Sequence, residues 1–342
     1  MQEKASNVPD VSVIIPVYNV APYIRECAES LFNQTLQNIE YIFIDDASTD
    51  DSIKILNQVI SKHPDRKSQI KIISHQQNKG TSYTRQEGID LSTGKWVIHC
   101  DSDDYLEPEA YSLMVNKATE TEADIVICDY RRFAEDGRSQ IIRHGEGYID
   151  SLELLKNITG ASETVWHGSL WNRIIRRELL QNIQFLEKIS YCEDVVFLVE
   201  LLINNPNLRI IRLPYTGYNY RMRSNSITTS DYSHKEKEII CVIDFLENLR
   251  DQQNQSYQEA INSKILSLLY SLLNNTKDLE ILAHRYRAYK NKIGVNKELN
   301  ILKKMFLNYA LKEKTSLSKI IRGFNREGLK GLKYFKKKLK KI

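Results

Sequence analysis

Acidic residues gather at three points in this 342-residue chain: Asp45-Asp46, Asp101-Ser102-Asp103-Asp104 and Glu193-Asp194. The first two follow short apolar runs, Tyr41 to Ile44 and Trp96 to Cys100, that read as buried strands, and the third opens a helical run. One acid at a strand end caps the next helix, and Ser48, Thr49 and Asp50 are placed to do that. Adjacent acids at two ends of one sheet are different. Like charges brought together cost stability unless a cation neutralises them. Asp101 and Asp103 lie two residues apart, so both carboxylates reach one ion. Hard oxygen donors with open positions suit Mn²⁺ or Mg²⁺ rather than Zn²⁺, and the chain has no His/Cys cluster to argue otherwise. An ion held that way can bind a substrate diphosphate.

The elements that must position these acids are legible in the first 130 residues. Val11 to Val17, Glu40 to Ile44, Ile70 to Ser74, Lys95 to Cys100 and Asp124 to Asp129 are short apolar or β-branched runs. Between them, Ala21 to Phe32, Asp50 to Lys62, Thr81 to Leu91 and Pro108 to Glu120 carry helical spacing. Strands without polar alternation, separated by helices, predict a doubly wound, mostly parallel α/β sheet covered on both faces. Such sheets bind ligands at the carboxyl ends of their strands. Beyond Asp129, Arg131 to Asp150 reads as a hairpin or loop, Leu170 to Gln181 and Asp194 to Asn204 as helices, and Leu208 to Pro214 as a strand. From Tyr232 onward the pattern is helical throughout.

Four segments in order resemble the signatures of family 2 glycosyltransferases: Ser12 to Asn19 (SVIIPVYN), Ile44 to Asp50 (IDDASTD), Asn78-Lys79-Gly80, and Asp101 to Asp104. The likeness continues more loosely through Ser169 to Asn172, Glu193-Asp194 with Phe197, and Tyr220-Arg221 with Arg223, Ser226 and Ile227. It implies a GT-A fold, a nucleotide-sugar donor, most often a UDP-sugar, and inversion at the anomeric carbon. Pro16, Tyr18 and Asn19 would line the nucleotide pocket, and Asp46 would bond the base. Asp101 would approach the ribose or sugar, and Asp103, with Asp101, would hold the metal. Asn78, Gly80 and Arg85 would close over the donor. Thr84-Arg85-Gln86 departs from the family's frequent Ala-Arg-Asn, and His99 stands where an apolar residue is usual.

Sugar transfer leaves a diphosphate with growing negative charge. A metal neutralises it without moving a proton, and guanidinium groups add to the effect. Arg221 and Arg223 are candidates, with Arg85 a third. The acceptor hydroxyl needs a general base on the face opposite the leaving group, where single displacement inverts the centre. The resemblance gives that role to Asp194 beside Glu193, against a plain helix-capping reading of both acids. Trp171 is a candidate acceptor-stacking ring, although a buried aromatic is more often core. The alternatives are a nucleotidyltransferase and a non-catalytic nucleotide-sugar-binding protein. Against the first, Pro16 to Val20 replaces a Gly-rich loop; against the second, Asp103 and Asp194 are both present.

Charge adds a second theme. Leu317 to Ile342 holds ten Lys or Arg against the single acid Glu327, a net of +9 within an overall +4, leaving the body of the chain at −5. An acidic body argues against nucleic-acid binding. Ile320, Ile321, Phe324, Leu332, Phe335, Leu339 and Ile342 recur on one helical face of that tail. A basic amphipathic helix suits an anionic membrane surface, and so a lipid-linked glycan acceptor; a partner-binding helix and a solubilising charged tail are the alternatives. Five scattered cysteines, no apolar run at the N-terminus and no spanning-length segment set the expectation of a cytoplasmic protein, peripheral at the inner face of the membrane. The expected division is a catalytic domain over 1–230, with donor-binding (1–107) and acceptor-binding (108–230) halves, and a helical C-terminal region over 231–342.

Overall fold

Strands β1 (Val11–Val17) and β2 (Ile39–Asp45) are buried almost without interruption and pair in parallel, Val11 opposite Ile39. Both faces are covered. Val11, Val13, Ile15 and Val17 pack in one cluster with Ile24, Cys27, Ala28 and Leu31 of α1 (Ile24–Phe32). Ile14, on the other face, meets Gly88 of α3 (Thr81–Leu91), where a β-carbon would lie 2.2 Å from Ile14 Cγ2. Only glycine allows that approach of helix to sheet. The structure, a computed structural model, describes residues 8–162, 166, 168–223 and 235–275.

The chain divides into two compact units, Met1–Ile158 with Trp166–Ser230, and Thr159–Val165 with Asp231–Ile342. In the first, α2 (Ser52–Ile60) leads to β3 (Ile70–Ser74), and α3 to β4 (Trp96–His99) and the short β5 (Tyr105–Leu106). Then come α4 (Ala110–Thr121), β6 (Ile125–Ala134), β7 (Ser139–Ile142), β8 (Gly147–Ile149) and α5 (Ser151–Thr159). After them follow β9 (Arg173–Arg176), α6 (Glu193–Asn204) and β10 (Ile210–Met222). The ten strands of the described residues form one sheet, in the order β3-β2-β1-β4-β9-β6-β10-β5, with β7 beside β6 and β8 beside β10. The pairs β1–β2, β1–β4, β2–β3 and β6–β10 are parallel, as the apolar runs predict.

Two segments differ from expectation, and the hairpin read after Asp129 is present. The helix expected over Leu170 to Gln181 is instead β9, antiparallel to both β4 and β6, followed by a 3-10 turn at Arg177–Leu180. Arg-Ile-Ile-Arg is too short to show a period, and its two neighbours decide its conformation. The polar stretch after Asp129 is a hairpin in which β6 runs on to Ala134 and returns as β7. The expected strand at Leu208 to Pro214 and the Tyr-rich stretch after it are one long strand, β10 (Ile210–Met222), whose register against β6 shifts twice between Leu213 and Tyr218. Pro214, which cannot donate to a ladder, lies within the first shift.

In the second unit, α7 (Glu236–Asp251) and α8 (Gln255–Asn275) pack together. Ile239, Val242, Ile243 and Leu246 of α7 and Ile261, Ile265, Leu269 and Leu272 of α8 are buried at helical spacing. Among the described residues no helix is long and apolar enough to cross a membrane. The basic tail at 317–342 and the motif residues Ser226 and Ile227 lie outside the described residues.

Candidate active site

The Asp101–Asp104 segment is a tight turn closed by Asp104 N–H donating to Asp101 O at 3.1 Å. It joins β4 to β5, and β9, β6 and β10 lie between those two strands in the sheet. The turn therefore crosses the rim of the sheet and needs support from the strands it passes. Tyr218 of β10 gives it. Its hydroxyl accepts from Asp101 N–H at 3.1 Å and donates to Asp104 Oδ2 at 2.8 Å. Arg221 adds its backbone N–H to Asp104 Oδ1 (2.7 Å) and its Nε–H to Asp103 O (2.9 Å). Asp104 is thus a strut, 2% exposed, whose carboxyl is pushed well above its ordinary range by burial and then by the charges of Asp103 and Asp101.

Asp101 and Asp103 keep their carboxylates partly accessible, at 27% and 15% exposure, and each faces an arginine. Arg85 Nη2 donates to Asp101 Oδ1 at 2.9 Å, and Arg223 Nε lies 2.6 Å from Asp103 Oδ2. Burial, then the Asp101 charge, raises the Asp103 carboxyl above its usual range, with Arg223 opposing.

Helix α3 carries Arg85 into the same place from the other side. The guanidinium is 7% exposed, its Nη2 is 3.9 Å from Glu193 Oε1, and its Nε and Nη1 have no hydrogen-bond partner among the described residues. Asp194 also acts on its charge. Helix α3 further fixes the approach to Glu193. Ser82 Oγ donates to Ile189 O at 2.6 Å, and Gln86 Oε1 accepts from Phe185 N–H at 3.0 Å. The departure to Gln86 therefore ties a loop. His99, the other departure, is buried edge-on to Phe185, and burial with the nearby Arg85 charge holds its ring well below the usual titration range.

Glu193 and Asp194 open α6 after Cys192, which sits in left-handed backbone at φ 63°. Their environments differ. Glu193 is buried, and burial followed by the Asp194 charge pushes its carboxyl up to about 8, with Arg85 opposing. Asp194 is only partly buried and accepts from Val195 N–H at 2.7 Å. Its charge stabilises that of Arg173, whose pKa burial brings down to about 10. Arg173, a fully buried cation on β9, carries no motif that would have pointed to it.

At the ends of β1 and β2, Pro16 is partly buried while Tyr18 and Asn19 are exposed, with Asn19 in left-handed backbone at φ 51°. Asn19 Oδ1 accepts from Thr49 N–H at 2.8 Å, tying the two strand ends together. Asp46, 4% exposed, takes the N–H groups of Lys79 (2.7 Å) and Gly80 (2.8 Å), so its first task is to hold the Asn78–Gly80 loop. Asn78 is exposed there. Gly80 has φ 88° with open space where a β-carbon would go, so its backbone conformation, rather than crowding, requires glycine.

Two sequence candidates are placed differently from expectation. Trp171 does not present a ring to an acceptor. It is 6% exposed, stacked on Tyr218 at 4.4 Å and 17° and on Tyr220 at 5.4 Å and 12°, and so stiffens the tyrosine that carries the acid turn. Arg221 is committed to that turn and to Glu26, with which its Nη2 pairs. Arg223 and Arg85 are the arginines beside the accessible carboxylates.

The family model for glycosyl transferase family 2 matches residues 12–184, just over half of the chain. The uncharacterized glycosyltransferase EpsJ of Bacillus subtilis is 32% identical over 229 residues, covering 66% of this chain and 64% of that protein. YibD, an uncharacterized glycosyltransferase of Escherichia coli, is 30% identical over 230 residues, covering 64% and 63%. The chain thus spans a little under two thirds of the length of these relatives. The crystal structure of S. aureus TarS 1–349 in complex with UDP-GlcNAc superposes with a TM-score of 0.67 at 21% identity, over 93% of this chain and 92% of that one. The mannosyltransferase PcManGT of Pyrobaculum calidifontis, in complex with GDP-Man and Mn²⁺, gives 0.52 at 15% identity, over 90% and 88%. At these identities the likeness speaks for the fold, which is the GT-A-like α/β architecture. The family match begins one residue into β1, passes through the strand ends that carry Asp45-Asp46 and Asp101–Asp104, and stops beyond β9; the chain belongs to glycosyl transferase family 2.

Proposed function

We propose that this chain is an inverting glycosyltransferase that moves a sugar from a UDP-sugar to a hydroxyl of a glycan acceptor. One observation carries the reading. A buried guanidinium, Arg85, with two nitrogens unbonded among the described residues, stands among Asp101, Glu193 and Asp194, where donor, acceptor and base have to meet. An unpaired buried donor is costly, and an anionic or hydroxyl-rich ligand satisfies it. The TarS complexes with UDP-GlcNAc and with UDP support the choice of uridine donor.

In this reading Tyr18, Asn19 and Pro16 line the nucleotide site, and Asp46 positions the Asn78–Gly80 loop over it. Asp194 takes the acceptor proton. The neutral Glu193 beside it leaves one negative charge on the pair at neutral pH, and the Arg173 charge favours Asp194 as its holder. Arg223 and Arg85 face the departing diphosphate. The donor set fits a divalent ion. Asp101 and Asp103 supply hard oxygens whose charges press on each other, a repulsion that a divalent ion would relieve. Mn²⁺ or Mg²⁺ held by Asp103 and Asp101 supplies charge neutralisation to the leaving group. Residues 108–230 form the acceptor side in this scheme. The tail at 317–342 holds the enzyme to an anionic membrane surface at the cytoplasmic face, next to a lipid-linked acceptor.

The test is UDP release from a panel of UDP-sugars, with Mn²⁺, with Mg²⁺ and with chelator. Metal-dependent release from at least one donor is expected. No release from any nucleotide-sugar would overturn the reading in favour of a non-catalytic binding protein, and release indifferent to chelator would remove the metal from it.

A further inference from the structure

The carboxylate that holds the Asn78–Gly80 loop is itself held. Besides the N–H groups of Lys79 and Gly80, Asp46 Oδ1 receives Nδ1 of His75 at 2.7 Å. The opposite ring nitrogen, Nε2, lies 2.7 Å from Glu87 Oε2 on α3. The His75 and Asp46 side chains are 3% and 6% exposed, and Glu87 is 26% exposed. Each ring nitrogen thus faces a carboxylate oxygen at hydrogen-bond distance, and the imidazole bridges the end of β2 to α3. The other groups facing this ring are Tyr83 of α3, edge-on at 5.7 Å, and through it Lys79, whose Nζ lies 4.2 Å from the Tyr83 centroid. His75 N–H also donates to Asp45 O at 2.9 Å, which extends the β2–β3 ladder to the ring's own backbone.

The consequence lies in how many directions fix Asp46. Two backbone N–H groups alone allow a carboxylate to swing with its loop. A third donor from a rigid strand end, braced in turn by a helix, does not. We propose that His75, paired to Glu87, is a positioning residue for the donor: it locks the Asp46 carboxylate and so orders the Lys79–Gly80 backbone before the donor arrives. This rests on the glycosyltransferase reading above. Ordering a loop in advance removes a cost otherwise taken from binding, so the chain His75–Glu87 sets donor affinity and leaves the rate of the bound complex alone.

The experiment uses the full chain and UDP with MnCl₂ as the probe, measured by calorimetry, beside kcat at saturating donor. His75→Gln is expected to weaken UDP binding about tenfold and Glu87→Gln about threefold, as loss of a charge-assisted hydrogen bond implies. In both, kcat stays within about twofold of wild type, and the double variant binds no more weakly than His75→Gln alone, because both act along one path. Amide exchange at Lys79 and Gly80 speeds up in both variants. Unchanged UDP affinity in both variants, or a loss of kcat without a loss of affinity, overturns the proposal. Glu87 is on the helix surface, so Glu87→Gln decides the matter if His75→Gln fails to fold. If wild type binds no UDP, the functional reading falls. The exchange measurement still judges the positioning role, and unchanged exchange at Lys79 and Gly80 in Glu87→Gln refutes it.

Discussion

Removing one oxygen atom tests how the acid turn is supported. Tyr218→Phe keeps the ring, and with it the 4.4 Å stack on Trp171, and deletes only the hydroxyl. Two groups then lose a partner: the part-buried Asp101 N–H at 3.1 Å and the buried Asp104 Oδ2 at 2.8 Å. Asp104 keeps the Arg221 N–H, so it is weakened and not abandoned. Each buried group left unsatisfied costs about 1–3 kcal/mol, and one of these two is partly compensated, so about 2–4 kcal/mol is expected in all. For a unit of this size that corresponds to a fall of roughly 5–10 °C in Tm. Thermal and urea unfolding of the two proteins, followed by circular dichroism, would read it. Because Asp101 and Asp103 ride on the same turn, UDP–Mn²⁺ affinity should fall as well. A Tyr218→Phe protein within about 0.5 kcal/mol of wild type would refute the idea that this hydroxyl carries the turn.

The carboxyl of Glu193 gives a pH test. Its folded pKa of about 8 stands above the ordinary 4.5, so the stability tied to its proton is full below about 4.5 and is lost as pH rises toward 8. Relative to Glu193→Gln, which does not titrate, wild type should lose up to about 1.4 kcal/mol per pH unit across that window. A stability difference that stays constant from about pH 5 to pH 8, measured by urea unfolding, would show that Glu193 is not held neutral. For the tail, truncation after Ser316 should release the protein from anionic vesicles while transfer to a soluble acceptor persists. Unchanged vesicle binding in a flotation assay would assign the membrane contact elsewhere.

What the sequence could disclose follows from how each part is stabilised. Strands β1, β2 and β4 are buried on both faces, so their apolar runs are unambiguous, and the acids at their ends stand out against them. Asp101, Asp103, Arg85 and Asp194 come together in the structure because each lies at the end or on the near turn of an element that was readable. β9 was not readable. Four residues with an arginine at each end look like surface, and only pairing on both sides makes them a strand with Arg173 fully buried. Tyr218 escaped for a different reason. Its partners lie 114 and 117 residues away, and nothing in a Tyr-rich stretch says which hydroxyl will face an acid turn. Trp171 was legible as an aromatic of consequence but not as to where its ring faces, since that depends on the register of β10 beneath it. Asp46 shows the same limit, because its partners His75, Lys79 and Gly80 belong to a loop closed by tertiary contact.

In the proposed function Asp194 removes the acceptor proton in a site where Arg85, Asp101 and Asp103 bind the donor. Asp194→Asn keeps the shape of the side chain and takes away its capacity as a base, together with the charge that faces Arg173 and Arg85. The most direct measurement is a side-by-side comparison of UDP affinity and sugar transfer in wild type and Asp194→Asn, with the donor that the panel identifies. UDP affinity within about threefold of wild type, with transfer reduced about a thousandfold or more, is the expected result. Transfer retained within about tenfold would contradict the account and place the base on another residue.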